Sequence, residues 1–277
     1  MEMLVSPEDI TDLVGEVVKP KPKPVRLLFY DIETAPMLAF IWQLKTDYVG
    51  PAMLEHDIFL LSYAAKWSDG TKVLSGVLTP GEARGQDDSR IVKSLAHLMK
   101  QADYLVAHNG DRFDLPMVNN RLLVNGLEPI GHVQTIDTLK LARTTFRFAS
   151  NRLDYLAKLL GFGGKHSTSF DLWRHCYQGH GPSLKELVDY NRHDVVLLEQ
   201  VFEALRPHVK NLPRLVDVGE YRQEVCPSCG SAERKKDGYH RTKVNTFQRY
   251  RCLQDGCGRR YRGWQAIGSK KSGSIGL

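Results

Sequence analysis

Hydrophobic and polar positions follow two different periods along residues 25–212. Val25-Arg26-Leu27-Leu28-Phe29-Tyr30 is a near-continuous apolar run of strand length, which predicts a central strand buried on both faces. Two further strand-like runs, 58–66 and 72–78, flank Asp69-Gly70, a dipeptide suited to a hairpin turn. From Ser89 to Lys100 the spacing becomes helical, with Ile91, Val92, Leu95 and Leu98 on one face and Met99 near its edge. Tyr104-Leu105-Val106-Ala107 predicts a short buried strand, and 115–125 a helix stopped by Gly126. Helices are also predicted over 153–160, closed by Gly161, and over 184–205, ending before Pro207. Strands first, then strands alternating with helices, imply an α/β fold with a mixed sheet, one domain spanning 25–212.

The flanks read differently. Lys19-Pro20-Lys21-Pro22-Lys23-Pro24 alternates charge with proline, so residues 1–24 are expected to be a flexible, extended leader. Residues 213–265 form a basic, cysteine-containing module, and 266–277, with Gly268-Ser269-Lys270-Lys271-Ser272-Gly273, a flexible tail.

Composition narrows the class. With 42% hydrophobic and 25% charged residues the 277-residue chain is ordinary for a globular protein. Its longest apolar runs fall far short of the roughly 20 residues that span a bilayer. Met1-Glu2-Met3-Leu4 has no basic segment leading into an apolar core, so a protein of the cytoplasm or another reducing compartment is expected. Charge is uneven: residues 222–277 carry thirteen Lys/Arg against four Asp/Glu, net +9, leaving −3 for residues 1–221. A basic end on a near-neutral body suits a polyanion-binding module, and equally a solubilising tail.

Four of the five cysteines pair by spacing, Cys226-x2-Cys229 and Cys252-x4-Cys257, separated by 22 residues. In a reducing compartment this spacing predicts one structural zinc in a closed four-thiolate site, a zinc ribbon. The second gap is at the long end of the usual range. Around the knuckles stand Lys235, Lys236, Arg249, Arg251, Arg259 and Arg260, candidates for phosphate contacts, interleaved with Tyr239, Phe247, Tyr250, Tyr261 and Trp264. The aromatics serve equally as the ribbon's own small core. Cys176, in an apolar-patterned segment, is expected to be a buried structural thiol.

Three acidic segments carry candidate chemistry. Asp31 and Glu33, in Asp31-Ile32-Glu33-Thr34, share one face of a strand, where two carboxylates repel unless a cation separates them. His108-Asn109-Gly110-Asp111-Arg112-Phe113-Asp114 joins a strand to a helix, and Asp114 is either a helix cap or a ligand. In Tyr190-Asn191-Arg192-His193-Asp194, Tyr190 and Asp194 are one helical turn apart beside a packed stripe. His193 is expected to be structural or substrate-contacting.

Taken in order, Asp31/Glu33, Asn109 with Phe113-Asp114, and Tyr190-x3-Asp194 resemble the three exonuclease motifs of the DEDD superfamily, which includes the proofreading exonuclease domain of family B DNA polymerases. The likeness covers roughly 25–205, including Ile136-Asp137-Thr138-Leu139 and Asn151–Leu156 with Leu160-Gly161. Tyr190 stands where the tyrosine branch (DEDDy) has its tyrosine, and Asp189 rather than His stands five before the last acid. The resemblance implies an RNase H-like fold: a mixed sheet flanked by helices, plus the C-terminal ribbon. It implies a 3′-5′ exonuclease releasing nucleoside 5′-monophosphates, with two Mg²⁺ or Mn²⁺ ions, an all-oxygen set suiting a hard cation. Asp31, Glu33, Asp114 and Asp194 would be ligands and Tyr190 would orient the attacking water. Thr34 and Asn109 are candidate contacts to the terminal nucleotide. Phe113 packs the loop or stacks on a base, packing being the favoured role. DNA, single-stranded or at a 3′ end, is the expected substrate, with RNA open. Gln248-Arg249-Tyr250-Arg251-Cys252 also resembles zinc ribbons appended to transposases and phage proteins. A non-catalytic, zinc-dependent nucleic-acid-binding or recruitment protein is the alternative from another class.

Overall fold

The computed structural model describes residues 23–164, 168–210, 212–213, 215–217 and 225–268. Most of the expected leader and the tail beyond Gly268 lie outside them. The chain divides into two compact units, one holding residues 26–212 and the other the described residues on either side.

The larger unit is built on strand β1 (Leu27–Thr34), the run whose apolar pattern showed no alternation. It is followed by β2 (Leu60–Trp67) and β3 (Val73–Val77). Then come α1 (Pro80–Gly85), α2 (Ser89–Met99), β4 (Tyr104–Ala107) and α3 (Asp114–Val124). β5 (Gln134–Asp137), α4 (Thr138–Thr145), α5 (Leu153–Leu159), α6 (Phe170–Tyr177) and α7 (Gly181–Leu205) complete it. The five strands form one sheet in the order β3-β2-β1-β4-β5. β3, β2 and β1 run antiparallel, and β4 and β5 continue parallel to β1. β1 is therefore central, which is why both of its faces had to be apolar. Its two faces are sorted by alternation. Leu28, Tyr30 and Ile32 join the core with Ile91, Val92 and Leu95 of α2 and Val118 of α3. Phe29 meets Phe202 of α7 edge-on, ring centroids 5.5 Å apart. Asp31 and Glu33 follow Phe29 at two-residue steps and so point toward α7.

A buried ion pair ties the α2–α3 layer to the sheet. Arg121 of α3 donates from Nε and Nη2 to the two carboxylate oxygens of Asp88, at 2.7 and 3.0 Å, and Asp88 is fully buried. Asp88 also accepts from the Leu60 amide at 2.8 Å and from Asn125 Nδ2 at 2.7 Å. Its charge is thus fully hydrogen-bonded, but only while Arg121 is present. Arg121→Ala strands that charge in the core and is expected to destabilise the unit by about 3–5 kcal/mol. Thermal unfolding followed by circular dichroism would show a drop of roughly 10 °C; a shift within 2 °C or so would refute the assignment.

Between β1 and β2 the chain leaves the core. Residues 37–49 expose Phe40, Leu44 and Tyr48, and Trp42 is 98% exposed, an apolar segment that periodicity alone did not single out. The second unit contains β6 (Arg234–Arg241), β7 (Thr246–Cys252) and β8 (Arg260–Ala266) as an antiparallel sheet in sequence order. Lys23–Pro24, at the end of the expected leader, pairs with Val216–Asp217.

Candidate metal and nucleic-acid site

Asp31 and Glu33 on β1 and Asp194 on α7 bring one carboxylate oxygen each to within 4.8 Å of one another. Asp194 is fully buried while the two strand acids are partly exposed, so the cluster has a closed floor and an open side. Three carboxylates at this spacing repel strongly unless a cation lies between them. The donor set is all oxygen and fits a hard divalent ion. The side chains are held from behind. Asn191, fully buried one helical turn before Asp194, donates from Nδ2 to Asp31 Oδ2 at 2.6 Å, and its own Oδ1 accepts from Ser62 of β2 at 3.3 Å. Trp173 of α6 donates its indole N–H to Glu33 Oε2 at 3.1 Å, and its ring meets Tyr190 edge-on at 6.1 Å. Tyr190 is therefore carried on the same helix as Asp194, beside the Glu33 edge of the cluster. Neither Asn191 nor Trp173 was foreseen. Asn191 has a sequence signal, the three-residue step to Asp194 on one helical face; Trp173 lies 140 residues from Glu33 and has none.

Asp114 sits otherwise. Phe113 occupies the N-cap position and Asp114 the first helical residue of α3, buried, with Oδ1 accepting from the Ile32 amide of β1 at 3.3 Å. It is not part of the three-carboxylate cluster, but it reaches the same strand between the two acids. Asp111 is drawn away by Lys140, at 2.5 Å. The loop that delivers Asp114 is shaped by two residues. Asn109 adopts a left-handed backbone, φ 70°, which asparagine tolerates, and its amide donates to Asp137 Oδ1 at 3.0 Å. Gly110 has no room for a side chain, because a Cβ there would lie 2.4 Å from the Ala107 Cβ. Beneath the loop the Tyr30 phenol is pushed well above its usual range by burial and then by the charges of Asp114, Asp111, Asp31 and Asp137. Tyr30 thus remains a neutral phenol under this concentration of acid.

Thr34 ends β1, partly exposed. Phe113 is 41% exposed, so the loop does not bury it as the favoured packing role required. His193 meets the Gly164 carbonyl at 3.1 Å, a structural position. A cavity of about 740 Å³ opens on the flank of the loop, lined by His108, Asn109, Arg112, Arg143, Asn151 and Arg152. Cys176 is buried, and burial pushes its thiol up to about 12.

In the second unit Cys226, Cys229, Cys252 and Cys257 converge, with Cys226–Cys257 sulfurs 3.8 Å and Cys229–Cys252 sulfurs 3.6 Å apart. Tetrahedral zinc at about 2.3 Å from each sulfur requires sulfur separations of about 3.8 Å, so the four thiols fit that ion. Among the candidate phosphate contacts, Lys235, Lys236, Arg251 and Arg260 are exposed and Arg249 is partly so. Arg259 is not available: it is only 7% exposed, turned into the ribbon beside the Cys252 knuckle.

One similar protein is the PolC-type DNA polymerase III of Ureaplasma parvum serovar 3, 48% identical over 54 residues, a match covering 20% of this chain and 4% of that protein. A similar solved structure is the family B DNA polymerase of the hyperthermophilic archaeon Pyrobaculum calidifontis, at 17% identity and a TM-score of 0.47 over 68% of this chain and 26% of that one. The chain therefore spans only a small part of either relative. The family model for RNase_H_2 of the RNase H superfamily matches residues 52–206, which include Asp114, Tyr190 and Asp194. With that match extending over more than half of its length, around a mixed five-stranded sheet and an acidic cluster, the chain belongs to the RNase H superfamily.

Proposed function

We propose that residues 25–212 form a metal-dependent 3′-5′ exonuclease acting on DNA, single-stranded or at a 3′ end, and that residues 213–265 form a zinc ribbon. The observation that carries this reading is the convergence of Asp31, Glu33 and Asp194 to within 4.8 Å on β1 and α7 of an RNase H-superfamily fold. Asp31, Glu33 and Asp194 would hold Mg²⁺ or Mn²⁺, and Asp114 would support a second ion. When bound, such ions acidify water and neutralise charge on the departing 3′ oxygen. Asn191 and Trp173 hold the carboxylates of Asp31 and Glu33 in place, so little reorganisation is needed when the substrate arrives. Tyr190 is suited to orient the attacking water. With a reference pKa of about 10 a phenol donates a hydrogen bond at neutral pH rather than removing a proton. Thr34 and Asn109 would position the terminal nucleotide, and the exposed Phe113 ring would stack on its base.

Two outcomes test this reading. Incubating 5′-labelled single-stranded DNA and RNA of one sequence with Mg²⁺ should give a ladder shortening from the 3′ end and nucleoside 5′-monophosphates, faster on DNA; faster loss of RNA would reassign the substrate. Asn191→Ala should cost about 10–100-fold in activity, partly restored by raising the Mg²⁺ concentration, because it loosens a ligand and leaves the ligand in place. An equal loss at every Mg²⁺ concentration would contradict that role.

A further inference from the structure

The ribbon sheet separates its side chains into two faces. Lys236, Tyr250 and Tyr261 are register partners on one face, with Tyr250 and Tyr261 rings 5.8 Å apart and Tyr261 packed on the cysteine cluster. That face is the ribbon's inside, and Lys236 flanks it. Lys235, Arg251 and Arg260 are register partners across all three strands on the other face, all exposed. Two residues along, Arg249 and Arg262 pair on the same face. Neighbouring strands are about 4.8 Å apart and alternate residues about 6.8 Å apart, so this face is a lattice of cations at short spacing. Among the described residues one acid, Asp237, lies within it. Asp237 forms an ion pair with Arg260 at 2.6 Å, and its backbone carbonyl accepts from Arg249 Nε, also at 2.6 Å.

Five like charges on a small three-stranded sheet are destabilising by themselves, and Asp237 offsets only one of them. We propose that the outer face of the ribbon, Lys235, Arg251 and Arg260 in one row with Arg249 and Arg262 in the next, is a sequence-independent binding site for the phosphodiester backbone of a nucleic acid strand. A backbone carries a charge every few ångströms, about 3.4 Å per strand in a duplex, and meets such a lattice with many counterions released. Phosphates carry no base identity, so the face grips any sequence. The Asp237 carboxylate, 2.6 Å from Arg260 and 3.8 Å from Arg249, cancels one of these positive charges and so limits the affinity. This site stands whether or not the carboxylate cluster hydrolyses the strand it holds.

The test is the salt dependence of binding by the full-length protein, in an Asp194→Asn background, to labelled single-stranded and duplex DNA. The triple variant Lys235→Gln, Arg251→Gln, Arg260→Gln is expected to flatten the plot of log Kd against log salt by about 2 on single strands. On duplex the loss should be nearer 2.7, which distinguishes the two forms. Affinity at low salt should fall on the order of 100-fold. Lys235→Arg, which keeps the charge, should leave the slope unchanged. Asp237→Asn separates this site from a structural role: it removes a negative charge, so binding should tighten several-fold and the slope steepen by about 0.7. Zinc content is measured for every variant. An unchanged slope in a triple variant that retains its zinc, or weaker binding by a zinc-loaded Asp237→Asn protein, would overturn the proposal.

Discussion

Asp194→Asn is expected to lower phosphodiester hydrolysis by on the order of 1,000-fold, about 4 kcal/mol of transition-state stabilisation, while leaving the fold intact. The side chain is fully buried and shares a 4.8 Å cluster with Asp31 and Glu33. The amide preserves its volume, so no cavity forms, but it removes a charge that a divalent ion needs. The stability effect has a definite sign. In a chelator three carboxylates repel one another, and replacing one by an amide relieves that repulsion, so the variant should melt at the same temperature or higher than the wild type. With excess Mg²⁺ the order should reverse, because the wild type gains binding energy that the variant lacks. Differential scanning calorimetry with and without Mg²⁺ checks both signs; a variant that melts lower in chelator would mean that Asp194 serves the fold rather than a cation.

The second large effect concerns the ribbon. Among the described residues its buried ones are few: Leu215, Val225, Cys226, Phe247, Cys252 and Cys257 with Ser228 and Arg259. So small a core cannot offset the ordering of three strands, and zinc should supply about 10 kcal/mol of the folding free energy. Cys226→Ser, or removal of zinc by a strong chelator, is expected to abolish hydrogen-exchange protection over 234–266. Protection over 26–212 should remain, and cleavage of short oligonucleotides should persist. Retained protection in a zinc-free ribbon would contradict the assignment, and loss of cleavage along with the ribbon would contradict two separately folded units.

The sequence carried the architecture best where burial is two-sided or periodic. The unbroken run at Leu27–Tyr30 announced a central strand, and the patterned stretch at 89–100 became α2 with Met99 buried rather than at its edge. Elements with little apolar signal escaped notice. β5 has one buried aliphatic residue, Ile136, and α4 begins directly after it, so no turn separates them for a sequence reader. Strand alternation and helical spacing are local rules, so the shared face of Asp31 and Glu33 and the one-turn step from Tyr190 to Asp194 were legible, whereas their grouping into one site was implied only by the resemblance to the exonuclease motifs. What holds them was less so: the Trp173 contact to Glu33 is set by how α6 packs, which no local rule encodes. Arg259 and Arg260 show the same limit in the ribbon. Two adjacent arginines look equivalent in sequence, yet one is buried and the other reaches the outer face. Lys235 and Lys236 divide between faces in the same way.

The most direct test of the central claim is a digestion time course on 5′-labelled single-stranded DNA across a Mg²⁺ titration, comparing wild type with Asp194→Asn. The account predicts nucleotide-by-nucleotide loss from the 3′ end that rises with Mg²⁺, stops in chelator, and falls on the order of 1,000-fold in the variant. Cleavage that proceeds equally in the variant, or that shows no dependence on a divalent ion, would contradict a metal site formed by Asp31, Glu33 and Asp194.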